Sequence, residues 1–361
     1  MSKTPVYLLR ITEHQALYSL SCPASVSKAA NGCCEPSSST TLGHKLERLL
    51  EDSTWCWAIS PTPQIQIKDI TPLEFFRNFV FHNRPCILQG ASVSSWHPDS
   101  IWHNIKDQLK DHMIHVNATP NGRADACYAD ESGVVWFTKP NDILMPSHDF
   151  FAWLEHSGDQ IMDLSESVLY VSAQNNSLIS EFGSLVASGL APQSFPFGDE
   201  VFGTQCDAAN LWIGDERSLS TIHRDSSYEN MYCVLKGRKV FYLLPPFATP
   251  FLGEKEYPNA CWELNGTTWD LVPEADTTSW VEIDVQSPIQ ACKIHPEYKN
   301  VAKFLQKVVV EEGQILYLPA GWWHQVTQET ETIACNYWYD RAFNATWLLG
   351  EALESLVSMG S

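Results

Sequence analysis

Hydrophobic and polar positions follow different patterns in the two halves of the chain. In the second half, short runs rich in β-branched and aromatic residues alternate with turn residues, which is typical of antiparallel strands. These runs are LWIG, SLSTIH, NMYCVLKG, KVFYLLPP, VVVEEGQILYLPAGWWHQV and TIACNYWYD. We therefore predict a mainly β domain, a sandwich or barrel, in which residues 251–300 form a long insertion between strands.

The first half mixes helical and strand patterns. The segment ITPLEFFRNFVF (70–81) predicts a helix, since Thr71 suits the N-cap, Pro72 the first helical position and Glu74 the reciprocal side of a capping box. Another helix is predicted at 150–156, and short strands at 84–88 and 168–174. Apolar residues at helical spacing predict two further helices, at 42–53 and 343–359.

These patterns divide the chain into four parts. We expect a partly flexible leader (1–58), an α+β part that supports the β domain (59–200), the β core (201–341) and a C-terminal helix (342–361). The role of the leader does not follow from its residues.

Composition narrows the classes of partner. The net charge of −20 disfavours nucleic acid and anionic membranes as partners, because both are negatively charged. No apolar run approaches the roughly 20 residues of a membrane span. The 11 cysteines include no C-x-x-C pair, and the first residues lack a secretory pattern. A reducing compartment, cytoplasm or nucleus, is therefore expected.

Candidate metal ligands occur in the β-rich half. His223 and Asp225 are two apart in a strand-like run, so their side chains point to one side, and His324 follows in a later run, LYLPAGWWHQV. Two imidazoles and a carboxylate are the ligand set of non-haem Fe(II) oxygenases. The alternative is a buried, hydrogen-bonded His324 and a surface contact between His223 and Asp225.

Two other motifs have a similar spacing, His97-Pro98-Asp99 and His295-Pro296-Glu297. We exclude both, because a proline disrupts a central strand, and we expect the first of them to lie in a turn.

Longer motifs at these positions resemble the JmjC, cupin-like oxygenases. They are NRPCILQGA, NATPNGRADA, VLYVSAQNNSL, NLWIGDERSLSTIHRD, YENMYCVLKGRKVFYLLPP, LYLPAGWWHQV and IACNYWYD. The resemblance implies a double-stranded β-helix, a jelly roll, with N-terminal helices. It also implies Fe(II) held by His223, Asp225 and His324, with 2-oxoglutarate as co-substrate and O2.

The resemblance further implies which residues contact 2-oxoglutarate. Lys239, Tyr170 and Ser220 match the positions that hold its far carboxylate, and Asn230 and Asn336 match the polar residues near its keto-acid end. The residues alone also allow another interpretation: Lys239 could be a solvated lysine on a strand, and Tyr170 could simply pack in the core.

Two departures from the family pattern carry predictions. Ser226 and Ser227 stand where the family has a single residue, and a bulge in this connection would restore the later positions. Strict alternation also places Thr221, not Ser220, beside His223.

The resemblance implies a protein substrate, a lysine side chain in a translation-associated GTP-binding protein, that is hydroxylated on carbon. Lysine demethylation is the alternative within the class, although no zinc-ligand cluster of a chromatin-reading module occurs. A non-catalytic cupin-like binding module is the alternative from another class. The resemblance also favours a homodimer through the C-terminal helix, and the alternative is that this helix packs on its own sheet.

Overall fold

The computed structural model describes residues 61–90, 98–155, 164, 167–343 and 347–348. The leader, the helix predicted at 42–53 and nearly all of the helix predicted at 343–359 lie outside these residues. The strands are β1 (Gln64–Gln66), β2 (Cys86–Gln89), β3 (Met113–Thr119), β4 (Arg123–Ala124), β5 (Ala126–Ala129), β6 (Val135–Lys139), β7 (Asn141–Pro146), β8 (Val168–Tyr170), β9 (Ala208–Gly214), β10 (Leu219–Arg224), β11 (Tyr228–Lys236), β12 (Arg238–Leu244), β13 (Lys255–Asn265), β14 (Thr268–Trp280), β15 (Gln306–Glu311), β16 (Ile315–Leu318), β17 (Trp323–Gln328) and β18 (Thr332–Asp340). The α-helices are α1 (Pro72–Phe75), α2 (Pro98–Leu109), α3 (Ser147–Leu154), α4 (Ser177–Ser180), α5 (Gly183–Ala187), α6 (Pro196–Phe202) and α7 (Pro288–Ile294).

The core consists of two sheets whose strands alternate along the chain. One sheet has the order β1-β2-β16-β11-β18-β9 and the other β15-β12-β17-β10-β4. Consecutive core strands from β9 to β12 fall in opposite sheets, as in a double-stranded β-helix. The predicted mainly β, jelly-roll fold is confirmed, and every predicted run of the second half contains at least one strand.

Both faces of the six-stranded sheet are buried. Successive residues of a strand point to opposite faces, and each face packs against a different group of apolar side chains. Tyr232 and Val234 of β11 face the space between the two sheets. Met231 and Cys233 of the same strand face the N-terminal helices on the outer side. Burying a large apolar side chain stabilises the fold by about 1.5–3 kcal/mol, so the helical layer and the barrel interior both contribute.

The predicted helix at 70–81 is present as α1, followed by one π-helical stretch, Phe76–Val80. Its capping box is formed as expected: the Thr71 hydroxyl accepts from the Glu74 amide at 3.3 Å, and the Glu74 carboxylate accepts from the Thr71 amide at 3.0 Å. Phe75 is fully buried against Tyr317 of β16, with ring centroids 5.3 Å apart. The helix thereby covers the outer face of the six-stranded sheet.

Several elements of the first half differ from the predictions. The helix predicted at 150–156 begins earlier, at Ser147, and the strand predicted at 168–174 ends at Tyr170. Helix α2 and strands β3 to β7 were not predicted. No helix among the described residues is long and apolar enough to cross a lipid bilayer.

The insertion at 251–300 contains a long hairpin, β13 and β14, followed by α7. Strand β13 also pairs in parallel with β6, which attaches the hairpin to the first half of the chain. Most residues of β14 are exposed, so its sequence has little of the apolar alternation that signals a strand. That explains why the sequence indicated only an insertion.

Candidate active site

The neighbouring strands β10 and β17 bring the three candidate metal ligands together. His223 and His324 are directly paired across the two strands, and their rings lie 4.1 Å apart between centroids. Asp225 is the first residue after β10. One ligand atom from each of the three side chains lies within 4.8 Å of the others. The three side chains therefore lie close enough together to bind one metal ion.

Backbone carbonyls orient the two imidazoles. Nδ1 of His223 lies 2.7 Å from the carbonyl oxygen of Thr221, and Nδ1 of His324 lies 3.0 Å from that of Trp322. These contacts favour the tautomer in which Nδ1 donates and Nε2 presents its lone pair to a metal. Burial, and next the charge of His223, lower the pKa of His324, which keeps this imidazole neutral as a ligand must be.

Two donors hold the carboxylate of Asp225. Its Oδ2 accepts from the Asn230 amide nitrogen at 3.1 Å and from the Trp338 indole nitrogen at 3.2 Å. The same oxygen lies 3.9 Å from Nε2 of His324. The three side chains together offer two imidazole nitrogens and one carboxylate oxygen.

A chain of buried amides extends from Asp225 into the barrel. The Asn336 side chain donates to Asn230 at 3.4 Å and accepts from the Trp212 indole at 2.8 Å and from Asn210 at 3.3 Å. Asn336 is only 1% exposed, so these contacts satisfy an amide that would otherwise be costly to bury. The network fixes the orientation of Asn230 and, through it, of Asp225.

The three residues assigned by resemblance to the far carboxylate of 2-oxoglutarate also lie together. Nζ of Lys239 donates to the Tyr170 hydroxyl at 3.0 Å, and the Ser220 side chain is hydrogen-bonded to the same hydroxyl. Lys239 is 1% exposed, and burial lowers its pKa to about 7. Burial also raises the pKa of Tyr170.

Lys239 has no carboxylate partner among the residues that the structure describes. A buried cation without a counter-charge is costly, and an anionic ligand would remove that cost. This site therefore fits a bound carboxylate, as the triad fits a metal.

An irregularity in β10 explains why Ser220 joins this group. Ser220 pairs with Val326, and His223 pairs with His324. Between these two pairs the chain advances three residues on β10 but only two on β17, so β10 contains one extra residue. This bulge shifts the alternation, so that Ser220 and His223 line the same small cavity of about 30 Å³. Strict alternation, which would place Thr221 beside His223, therefore does not hold here, and Ser220, the residue assigned by resemblance, lies at the cavity.

The additional residue before Tyr228 is accommodated differently from the prediction. Ser226 and Ser227 form a bend outside the strands, and no bulge occurs in this connection. Arg341 holds the bend through its backbone amide to the Ser227 carbonyl at 3.0 Å and its guanidinium to the Ser226 carbonyl at 2.9 Å. Asn230 still reaches Asp225, as the contact above shows.

A larger cavity of about 610 Å³ opens beside the triad. It shares Tyr170, Ser220, His223 and Asp225 with the small cavity, so the two are continuous around the candidate metal site. Phe137 and Trp280 form an aromatic wall, with their rings 4.9 Å apart. A volume of about 610 Å³ lies in the usual range of small-molecule binding pockets.

The described residues of the two excluded motifs do not line this site. Pro98 and Asp99 lie in helix α2, not in the turn that we expected. Pro296 begins a 3-10 helix, Pro296–Asn300.

Sequence reasoning missed other residues that line or position the site. Thr221 was considered only as a rival of Ser220, and Asp125 and Asn210 were not considered. Asp125 follows β4 with a positive φ of 53°, a conformation that a sequence pattern does not reveal. A polar residue inside an otherwise apolar strand, as at Asn210, was the available signal.

Comparisons with known proteins agree with this geometry. A family model described as a cupin-like domain matches residues 72–345. JmjC domain-containing protein E of Dictyostelium discoideum is 30% identical over 318 residues, which are 80% of this chain and 88% of that protein. The human bifunctional peptidase and (3S)-lysyl hydroxylase JMJD7 is 31% identical over 294 residues, 80% of this chain and 87% of that protein. Lysine-specific demethylase JMJ32 of Arabidopsis thaliana is 28% identical over 306 residues, 81% of this chain and 85% of that protein.

Proposed function

Because this chain belongs to the cupin-like JmjC family, we propose that it is an Fe(II)- and 2-oxoglutarate-dependent protein hydroxylase that acts on a lysine side chain. One observation carries the proposal: a His-Asp-His triad shares its cavity with Tyr170 and Ser220, and the Tyr170 hydroxyl is bonded to a buried lysine that has no counter-charge among the described residues. The triad supplies three ligands, and the lysine supplies the charge that a dicarboxylic co-substrate needs.

Each group of residues has a defined task in this proposal. His223, Asp225 and His324 would hold the metal on one side. Lys239, Tyr170 and Ser220 would bind the far carboxylate of 2-oxoglutarate, and Asn230 and Asn336 would lie near its keto-acid end.

The bound metal and co-substrate would supply the oxidation: O2 and 2-oxoglutarate would give succinate and carbon dioxide, and one oxygen atom would be inserted into a substrate C–H bond to form a hydroxyl group. The protein contributes orientation and a dry pocket. Trp212 and Trp338 are 7% and 8% exposed, and both lie against the small cavity, where they exclude water.

The choice of lysine rests on the relatives. One relative is named a (3S)-lysyl hydroxylase and another a lysine-specific demethylase, so lysine is common to both names. We favour hydroxylation, by the stated resemblance, and a translation-associated GTP-binding protein as the substrate. Demethylation is the second candidate, and a reducing compartment, cytoplasm or nucleus, remains the proposed location.

Mass spectrometry of reaction products tests the reaction. The protein is incubated with Fe(II), 2-oxoglutarate and a peptide pool with a fixed central lysine or trimethyl-lysine, and His324→Ala serves as the control. We expect lysine peptides that gain one oxygen, together with succinate, only with the unchanged triad.

Loss of a methylene from the methylated peptides would favour demethylation instead. Succinate formation at the level of the His324→Ala control, with every peptide pool, would support the non-catalytic binding module.

A further inference from the structure

The larger cavity contains one carboxylate without an assigned role. Three carboxylates line it: Asp225 belongs to the triad, Glu254 lies 3.6 Å from the Arg224 guanidinium, and Asp125 is the third. Within the described part of the chain, no side chain forms a hydrogen bond or ion pair with the Asp125 carboxylate at contact distance. Lys139, whose charge acts on Asp125, is itself bonded to Glu274 at 2.7 Å.

The position of Asp125 is fixed by its backbone. The Thr221 hydroxyl donates to the Asp125 carbonyl oxygen and accepts from the Trp280 indole nitrogen at 3.1 Å. Gly122, in the turn before Asp125, has a φ of +75°, and a Cβ there would clash with the carbonyl oxygen of Arg217. Backbone contacts therefore hold Asp125 in place, and its carboxylate is not needed for them.

The same contacts place Asp125 next to the metal site. Trp280 stacks on His223, with an interplanar angle of 9° and 6.1 Å between ring centroids. Thr221, which joins Asp125 to Trp280, is two residues before His223 in β10. The carboxylate is near enough for the His223 charge to act on its pKa, which burial raises. A half-buried carboxylate and an aromatic face thus border the space next to the triad.

We propose that Asp125 recognises the cationic end of the substrate side chain, by accepting hydrogen bonds from an ammonium group that lies along the Trp280 ring. An ammonium supplies both the charge and the donors that the carboxylate lacks, and it is attracted to the face of an indole. This inference rests on the proposed function, because it names the group that selects lysine at the same site.

Proton relaxation near a bound paramagnetic metal tests the inference without turnover. The protein is loaded with Mn(II) and 2-oxoglutarate, and two probes are added, Nα-acetyl-lysine methylamide and its norleucine counterpart, which lacks the ammonium. We expect the lysine probe to bind about tenfold more tightly than the norleucine probe, because a charged hydrogen bond distinguishes them.

Asp125→Asn should abolish that preference and leave Mn(II) binding unchanged. Glu131→Gln removes the same charge at an exposed position and should keep the preference. If Mn(II) binds but the unchanged protein treats both probes alike, or if Asp125→Asn keeps the preference, the inference is overturned. A protein that takes up no Mn(II) overturns the proposed function, and this inference with it. If Asp125→Asn does not fold, the difference in affinity between the two probes for the unchanged protein still tests the inference.

Discussion

Lys239→Met tests whether the buried lysine serves ligand binding at the expense of stability. Burial lowers the pKa of Lys239 from its ordinary value of 10.5 to about 7. Since one pKa unit corresponds to about 1.36 kcal/mol, burying the charged form costs on the order of 5 kcal/mol relative to the unfolded chain. Methionine has a similar shape and no charge, so this cost disappears in the variant.

Part of the gain is offset, because the Tyr170 hydroxyl loses the Lys239 contact of 3.0 Å. An unsatisfied buried group costs about 1–3 kcal/mol, so we expect the ligand-free variant to be roughly 2–4 kcal/mol more stable at neutral or lower pH. The folded pKa is below the unfolded one. The penalty is therefore complete below pH about 7 and is lost as the pH rises toward 10.5.

Urea unfolding of the metal-free protein, followed by tryptophan fluorescence at pH 6, 7.5 and 9.5, measures this free energy. The advantage of the variant should shrink as the pH rises. Lys307→Met is the control, since Lys307 is 54% exposed and should change stability by less than about 0.5 kcal/mol.

The same variant should bind 2-oxoglutarate weakly. Loss of a charge-assisted hydrogen bond of about 1.5–3 kcal/mol weakens binding roughly 10- to 150-fold, which calorimetry on the Mn(II)-loaded protein can measure. A variant that is less stable than the original at pH 6 yet binds 2-oxoglutarate equally well would refute the reasoning.

Three further changes have definite expected results. Trp338→Phe removes a donor to Asp225 and should weaken Mn(II) binding about 10- to 100-fold, whereas Trp136→Phe, which removes a donor to Asp130 instead, should leave it unchanged. Equal Mn(II) affinities of the original protein and Trp338→Phe would contradict this role. Thr71→Ala removes the capping box and should lower the free energy of unfolding by about 0.5–2 kcal/mol in a urea titration, and no change would show that α1 does not depend on its cap. Deletion of 343–361 should convert a dimer to a monomer in light scattering, and a full-length protein with the mass of one chain would contradict the predicted homodimer.

Elements with a strong local signal were predictable from the sequence. The capping box, which needs only the four residues from Thr71 to Glu74, predicts where a helix begins. The β-branched runs of the second half predict strands. The exposed strand β14 and the short strands of the first half have no such signal. Their strand conformation depends on partners distant in sequence, as β13 depends on β6.

The metal triad illustrates what residue types and spacing determine. His223 and Asp225 face the same side because they are two residues apart along the chain. The motif LYLPAGWWHQV identified His324 as the third candidate ligand. Only the pairing of β10 with β17 places the two imidazoles opposite each other. Pairing between distant strands is a property of the folded chain, not of either segment.

Other features were decided by tertiary structure alone. The sequence identifies Ser220 and Thr221 equally well, but the bulge in β10 turns Ser220 toward Tyr170 and leaves Thr221 to hold Asp125 and Trp280. Asp125 lines the cavity only because three distant parts of the chain meet there: the turn at Gly122, the hydroxyl of Thr221, and Trp280 of the β13–β14 hairpin. The sequence by itself determined the strands of the second half and the residue types of the candidate site, because both are encoded in neighbouring residues. The environment of each side chain needed the fold, because burial and hydrogen-bond partners come from elsewhere in the chain.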